Sequence, residues 1–438
     1  MLQLSQALRF SRTTSLAFVG AGGKTTALFH LAREVGSAIV TTSTHLGEWQ
    51  SSQADRHLIL ESDSQLPTLG PLPQPGIVLV TGPLRDNRYV GISTKALEYL
   101  HAISKEKAIP LLIEADGGRQ KPLKAPAVHE PTIPEFVDGV VVVVGLSALN
   151  KPVTEDWIHR LDVFKQICDV TEQALISPEL IMKMLLHPEG GLKNIPLQAR
   201  RIVLMNQADQ IELRSIAGRM ARQLLPHYHS VIISALAKSE IYAIQESVAG
   251  IILAAGGSER YGESKQLLEW HGKPLVEHVA RVAISTGLTP IIVVAGAAAE
   301  EVETAIHHLP ITIARNLSWH KGQSTSIHAG LRILPSGIGA VILILSDQPH
   351  ITPNLLQSMV EKHAQLMSPI IAPLVHGQRA NPVLFDQNTF DDLMSLKGVI
   401  GGRQIFPHYK LDYQSWIDEN LLIDIDSPKD YINLLENG

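Results

Sequence analysis

Val248-Ala249-Gly250-Ile251-Ile252-Leu253-Ala254-Ala255-Gly256-Gly257-Ser258-Glu259-Arg260-Tyr261-Gly262-Glu263-Ser264-Lys265 decides how the second half of this 438-residue chain is read. Val248 to Ile252 is an apolar run and predicts a buried strand. The strand opens into small residues, then an arginine, a glycine and a lysine. Such a loop suits the phosphates of a nucleoside triphosphate, because small residues let main-chain N–H groups reach phosphate oxygens while cations neutralise charge. Leu253, Ala254, Ala255, Gly256, Gly257, Ser258 and Gly262 are therefore the expected nucleotide-binding positions, with Arg260 and Lys265 as the cations. The competing reading is a flexible strand-to-helix turn. Two further apolar runs weigh against it: Leu343-Ile344-Leu345-Ser346-Asp347 and Leu421-Leu422-Ile423-Asp424-Ile425-Asp426 each read as a strand that delivers carboxylates. Ligands of open α/β sheets sit beyond the carboxyl ends of the strands. Asp347 and Asp426, assisted by Asp424, are thus expected to hold Mg²⁺ together with substrate phosphates.

The stretches LAAGGSERYGESKQLLEWHGKPL, SDQPHIT, Gly322-Gln323-Ser324-Thr325-Ser326, Arg379-Ala380-Asn381-Pro382 and DIDSPKDY resemble the molybdenum cofactor nucleotidyltransferases, over roughly Val248 to Gly438. The Ala254-Ala255-Gly256 start is more similar to the cytidylyltransferase branch than to the guanylyltransferase branch. That resemblance implies a Rossmann-like α/β/α sandwich of the nucleotide-diphospho-sugar-transferase kind. It implies CTP and the molybdopterin cofactor as substrates, with Ser324, Ser326, Arg379 and Asn381 on the pterin side and Lys265, Arg260 and Asp347 as the catalytic groups. One departure stands out: the family often has an acid shortly after the glycine of a Leu-x-Gly segment, and here Leu396-Lys397-Gly398 is followed by Val399.

The length fits two domains of about 200 residues better than one. A 45% hydrophobic content fills both cores, and a net charge of −6 gives no basic face for nucleic acid. The one cysteine, Cys168, excludes an intramolecular disulfide and fits a reducing cytoplasm as a buried, inert thiol. Met1 to Thr14 is polar and lacks the apolar core of a secretion signal. The longest apolar run, Val140 to Val144, falls short of the ~20 residues of a membrane helix. The 19 histidines are scattered and read as solvated surface residues.

Strands are expected at Leu16–Val19, Ala38–Thr42, Gly76–Val80, Leu111–Ala115, Gly139–Val144, Arg201–Met205 and His229–Ser234. Helices are expected at Lys24–Val35, Thr94–Ser104, Pro178–Leu186 and Ile211–Leu225. β-branched strands separated by helices predict a parallel sheet covered on both faces. The polar stretch Ala237 to Ser247 marks the domain boundary. The second half repeats the class, with strands near Val248, Ile291, Ile311, Val341, Ile370 and Leu421. The expected fold is thus α/β, with one domain over residues 1–240 and a nucleotidyltransferase domain over residues 248–438.

Gly20-Ala21-Gly22-Gly23-Lys24-Thr25-Thr26 follows a strand and opens a helix, the context of a phosphate loop. Phe18 occupies the place of the first glycine of GxxxxGK[ST], and the shorter form resembles the GxxGK[ST] loop of the Mur ligases. A P-loop NTPase-like domain follows, with Gly20, Gly22, Gly23, Lys24, Thr25 and Thr26 on the triphosphate. Thr41, Thr42 and Thr44 are placed to reach a metal or γ-phosphate, and Asp116 of Ile113-Glu114-Ala115-Asp116-Gly117 to join Thr25 on Mg²⁺. Asn206-Gln207-Ala208-Asp209 is similar to the NKxD base-reading motif of GTPases, with a helix N-cap as the other reading of Asp209. GTP or ATP is the second nucleotide expected. VGAGGKTT, TTSTHL, IEADGGRQKPLKAP, HEPTIP and GLSALNKPV resemble the selenium-dependent molybdenum hydroxylase accessory proteins, which implies a hydroxylase client. Arg119 to Lys124 reads either as an anion-binding segment or as a solvated loop.

The resulting expectation is transfer of CMP from CTP to molybdopterin-bound molybdenum. The terminal phosphate of the pterin is already anionic and attacks the α-phosphorus without a general base, so positioning and charge neutralisation carry the chemistry. Guanylyl transfer from GTP is the runner-up within the enzymes. The rival class is a nucleotide-gated chaperone that delivers cofactor to the hydroxylase.

Overall fold

The computed structural model describes residues 2–68, 75–171, 173–258 and 261–437. The chain divides into two compact units, Met1–Gln245 and Glu246–Gly438.

In the first unit, eight strands among the described residues pair in parallel throughout. Their order is Arg56–Ile59, Gly76–Thr81, Ser37–Thr42, Leu111–Glu114, Ser15–Gly20, Gly139–Gly145, Arg200–Asn206, Ser230–Ala235. The all-buried run of Gly139–Gly145 shows why near-continuous valine was needed there. Ser15–Gly20 lies between Leu111–Glu114 and Gly139–Gly145, so later strands are added on both of its sides. That makes its carboxyl end a switch point of the sheet, where a ligand crevice opens. Helix Lys24–Val35 starts there and ends on Gly36, whose φ of 76° is the left-handed cap a glycine accepts.

In the second unit the sheet order is Thr312–Arg315, Ile291–Ala295, the Val248–Ala254 stretch, Ile338–Leu345, Val383–Asp386, Ile370–Val375, Leu411–Trp416. Side chains alternate across it. Ala340, Ile342 and Ile344 join one core with Val276, Val279 and Leu355; Val341 and Leu343 join another with Ile327 and Leu393. Helices thus cover both faces in an α/β/α arrangement.

Three expectations need correction. Val383–Asp386 runs antiparallel to both neighbours, because the chain turns back through the Gln378–Arg379 hairpin and not through a helix. Leu421 starts no strand: Glu419–Leu422 is a 3-10 turn, capped by Asp418, which accepts from Asn420 N at 3.0 Å. The edge strand is Leu411–Trp416 instead. Strand Glu240–Ala254 begins within the polar stretch after Ala237. Its buried Ile244, Glu246 and Val248 follow a strand period that the polar composition hides. The surface assignment of the histidines fails at His363, which is buried with its Nε2 2.8 Å from the equally buried Asp386.

Among the described residues no helix is long and apolar enough to cross a membrane. Cys168 is buried, and burial pushes its thiol up to about 12.

Candidate active site

In the second unit, Leu253 and the loop Ala255–Ser258 open a cleft of about 520 Å³ at the carboxyl end of the sheet, with Tyr261, Lys265, Gln266, Trp319, Asp347 and Asp426 around it. The loop is shaped from behind. Gln266 is buried and donates to Gly256 O at 3.3 Å, while Ser258 Oγ accepts from Lys265 N at 3.1 Å. A Cβ on Gly257 would lie 2.7 Å from the Trp319 ring, so glycine is required there. Gly262 has a φ of 91° and closes the turn. Ala254 stays in the sheet, paired with Ala295. Arg260 lies outside the described residues.

Asp347 and Asp426, 79 positions apart in the sequence, meet on one ammonium. Lys265 Nζ stands 2.8 Å from Asp426 Oδ1 and 3.3 Å from Asp347 Oδ2. Burial works against the charge of Lys265, but the two carboxylates outweigh it and its pKa is raised. Ile425 brings the C-terminal segment into place: its side chain is buried with Trp270 and Leu275, and its N–H donates to Asp347 O at 3.3 Å. Asp430 then holds the following turn, accepting from Ser427 N and Ser427 Oγ, each at 2.7 Å.

Asp424 diverges from Asp426. It accepts from Gln348 Nε2 and lines a separate cavity of about 290 Å³ with Gln323, Asn381 and Arg403. Burial of its carboxyl raises its pKa, and the neighbouring Asp347 and Asp426 charges add to that. Of the residues expected on the substrate side, Asn381 lines this cavity and Ser326 lines the larger one. Ser324 does neither; it is buried and donates to Gly398 O at 2.9 Å. Arg379 is exposed and stacks over Phe406 at 4.7 Å. Trp319, Tyr261, Gln266 and Gln323 were given no role by the sequence reading, because single aromatics and amides carry no local pattern of their own.

In the first unit, Gly22, Gly23, Lys24, Thr25 and Thr26 line a cavity of about 360 Å³ with His45, Trp49, Gln50, Glu114 and Gln207. Gly20 and Gly22 carry φ of 92° and 85°, and a Cβ on either would lie 2.3 Å from the Gly139–Gly145 strand backbone. Lys24 donates to Gly20 O at 2.7 Å and pairs with Asp116 Oδ1 at 3.1 Å. Burial opposes its charge, yet Asp116 and Glu114 prevail and raise its pKa.

The acid facing Thr25 is Glu114, which accepts from Thr25 Oγ1 at 2.7 Å and whose pKa burial raises. Asp116 does not line the cavity. Its carboxylate is committed to Gly20 N, Lys24 and Lys124. Thr41 and Thr42 donate to the carbonyls of Val80 and Glu114, so neither hydroxyl reaches the cavity. Asn206 is buried and ties Gly22 O to Leu236 N, which makes it a positioning residue. Asp209 pairs with Lys238 at 2.9 Å away from the cavity, and the helix N-cap is Gln210. Arg119 and Lys121 line the cavity, Arg119 on an exposed residue, while Lys124 is buried in ion pairs.

Residues 16–162 match the family described as YqeC protein, and residues 250–412 match the MobA-like NTP transferase domain. The chain is 29% identical over 220 residues to the uncharacterized protein YqeC of Escherichia coli (strain K12), covering 49% of this chain and 84% of that one. It is 28% identical over 194 residues to the purine catabolism protein PucB of Bacillus subtilis (strain 168), covering 42% and 93%. It is 25% identical over 200 residues to a probable molybdenum cofactor guanylyltransferase of Bacillus cytotoxicus, covering 43% and 97%. A solved nucleotidyl transferase from Methanothermobacter thermautotroptrophicus aligns at 22% identity and a TM-score of 0.39, over 43% of this chain and 96% of that one.

Proposed function

We infer that this chain, which joins a YqeC protein domain over residues 16–162 to a MobA-like NTP transferase domain over residues 250–412, is a molybdenum cofactor nucleotidyltransferase that moves CMP from CTP to molybdopterin-bound molybdenum. The observation that carries this reading is the ammonium of Lys265 shared by Asp347 and Asp426 beside the Ala255–Ser258 loop. Two carboxylates that converge on one cation fit Mg²⁺, which takes few protein ligands and completes its shell with phosphates and water. Among the described residues no group of three or more acidic, histidine or cysteine side chains is assembled for a metal. Mg²⁺ held by Asp347 and Asp426 would offset charge on the phosphates.

The residues of the chain do the positioning. Main-chain N–H groups of Ala255–Ser258 hold the β- and γ-phosphates, and Lys265 follows the charge that builds on the departing pyrophosphate. The acceptor is a phosphate oxyanion, so no general base is required. Asn381 and Arg403, beside Asp424, form the neighbouring space for the acceptor. In the first unit, Gly22–Thr26 with Glu114 hold a second nucleotide.

The test incubates the chain with each of the four nucleoside triphosphates, with and without molybdopterin cofactor, and measures pyrophosphate and phosphate separately. Pyrophosphate from CTP alone among the four, only when pterin is present, is the expected result. The similarity to a guanylyltransferase supports GTP as the second reading. Pterin-dependent release from GTP would replace the base assignment, and no pterin-dependent release would remove the transferase reading.

A further inference from the structure

A second chamber of about 750 Å³ lies beside the loop cavity of the first unit. His45, Arg88, Gly117, Arg119 and Lys121 line both spaces. Thr44, Glu130, His159 and Arg160 belong to the second alone. Its volume is in the range of small-molecule sites.

The charges are arranged unevenly. Glu130 is already satisfied inside the protein: Arg160 grips it with two N–H groups at 2.7 and 2.8 Å, and Lys124 pairs with it from behind. Glu155 and Asp156 also line the chamber, both on exposed residues. Arg88 and Arg119 form no ion pair among the described residues. Among the described residues Lys121 donates only to the backbone carbonyl of Asp156, at 3.2 Å. His159 registers the field: burial first, then Arg160, Lys124 and Arg119, push it down to about 4. The hydroxyl of Thr44 is buried with no hydrogen-bond partner. A buried hydroxyl left unpaired is unfavourable unless a ligand meets it.

We propose that this chamber binds the phosphate group of a second small substrate, next to the Gly20–Thr26 loop, through Arg88, Arg119, Lys121 and the Thr44 hydroxyl. Two guanidinium forks, an ammonium and a hydroxyl offer more donors than the two oxygens of a carboxylate can take, and they suit the terminal oxygens of a phosphate monoester. Lys24, Asp116, Lys124, Glu130 and Arg160 form an unbroken chain of ion pairs between the loop and the chamber, so the wall is rigid on that side.

The full chain is titrated calorimetrically with inorganic phosphate and, separately, with acetate, as wild type and as Thr44→Val, Arg119→Ala and Lys95→Ala. Thr44 lines the chamber and not the loop cavity, and the exposed Lys95 lines neither. The expected result is a phosphate-binding event weakened about 5-fold by Thr44→Val and about 10-fold by Arg119→Ala, but unchanged by Lys95→Ala. Thr44→Val should also unfold at no lower temperature than wild type, because it removes an unpaired buried group. Four results overturn the proposal: no phosphate event, one insensitive to Thr44→Val, equal weakening by Lys95→Ala, or acetate binding as tightly as phosphate.

Discussion

Lys265 keeps only 16% of its side-chain surface exposed, against 71% for Asp426. The ammonium is therefore the fixed member of the cluster, and Asp426 is the one that solvent or substrate reaches first. Asp347, at 27%, is intermediate and sits at the end of a fully paired strand. Asp347→Ala is expected to nearly abolish pterin-dependent pyrophosphate release while the circular dichroism spectrum stays that of the wild type. Lys265→Ala should lower kcat by on the order of 10²-fold if the ammonium follows charge in the transition state. A higher KM with unchanged kcat would assign Lys265 to ground-state binding instead. The neighbouring carboxylate Asp424 shows how little spacing alone settles: two positions from Asp426, it faces another cavity.

At the level of elements, the Ala255–Ser258 loop of the second unit is shaped by two side chains of the same cleft. Gln266 fastens Gly256, and Trp319 packs where a Cβ on Gly257 would stand. Gly257→Ala should therefore displace Trp319 and raise KM for the nucleotide by roughly 10-fold, measured by initial rates, with a smaller change in Tm. An unaltered KM would mean that the loop position is set elsewhere. Both glycine loops were legible in the sequence because backbone approach to phosphate demands small residues at fixed positions after a strand. The Leu421–Asp426 segment was not. Its short apolar run has the composition of a strand, but no strand among the described residues pairs with it, and the Asp418 cap turns its start into a 3-10 turn.

Across the molecule, each unit carries its own hydrophobic core, so each has its own response to solvent. The first unit contains the buried ion-pair chain that ends in Glu130. Burial alone would raise its pKa, but Arg160 and Lys124 outweigh that and bring it from 4.5 to about 2. A carboxylate depressed in the folded state stabilises above its unfolded pKa, and that stability is lost as pH falls from about 4.5 to about 2. Urea unfolding should show the first unit weakening across this window. Glu130→Gln should cost about 3 kcal/mol at neutral pH and flatten the acid slope. Parallel pH curves for wild type and variant would contradict the assigned coupling, and pyrophosphate release by the second unit should survive the substitution.

The sequence by itself determined what is local. Apolar runs and helical periods placed seven of the eight strands of the first sheet, all but Arg56–Ile59, with the helix Lys24–Val35 and both glycine loops, since each follows from side-chain period and backbone sterics within a dozen residues. Tertiary structure decided which groups meet. Glu114 and not Asp116 faces Thr25, because Asp116 is taken by Lys24, Lys124 and Gly20. Asn206 braces the loop from behind, and Ser324 is committed to Gly398. A polar side chain serves whichever partner lies within about 3 Å of it in the folded chain. Those partners lie up to 184 positions away, a separation that no local pattern encodes.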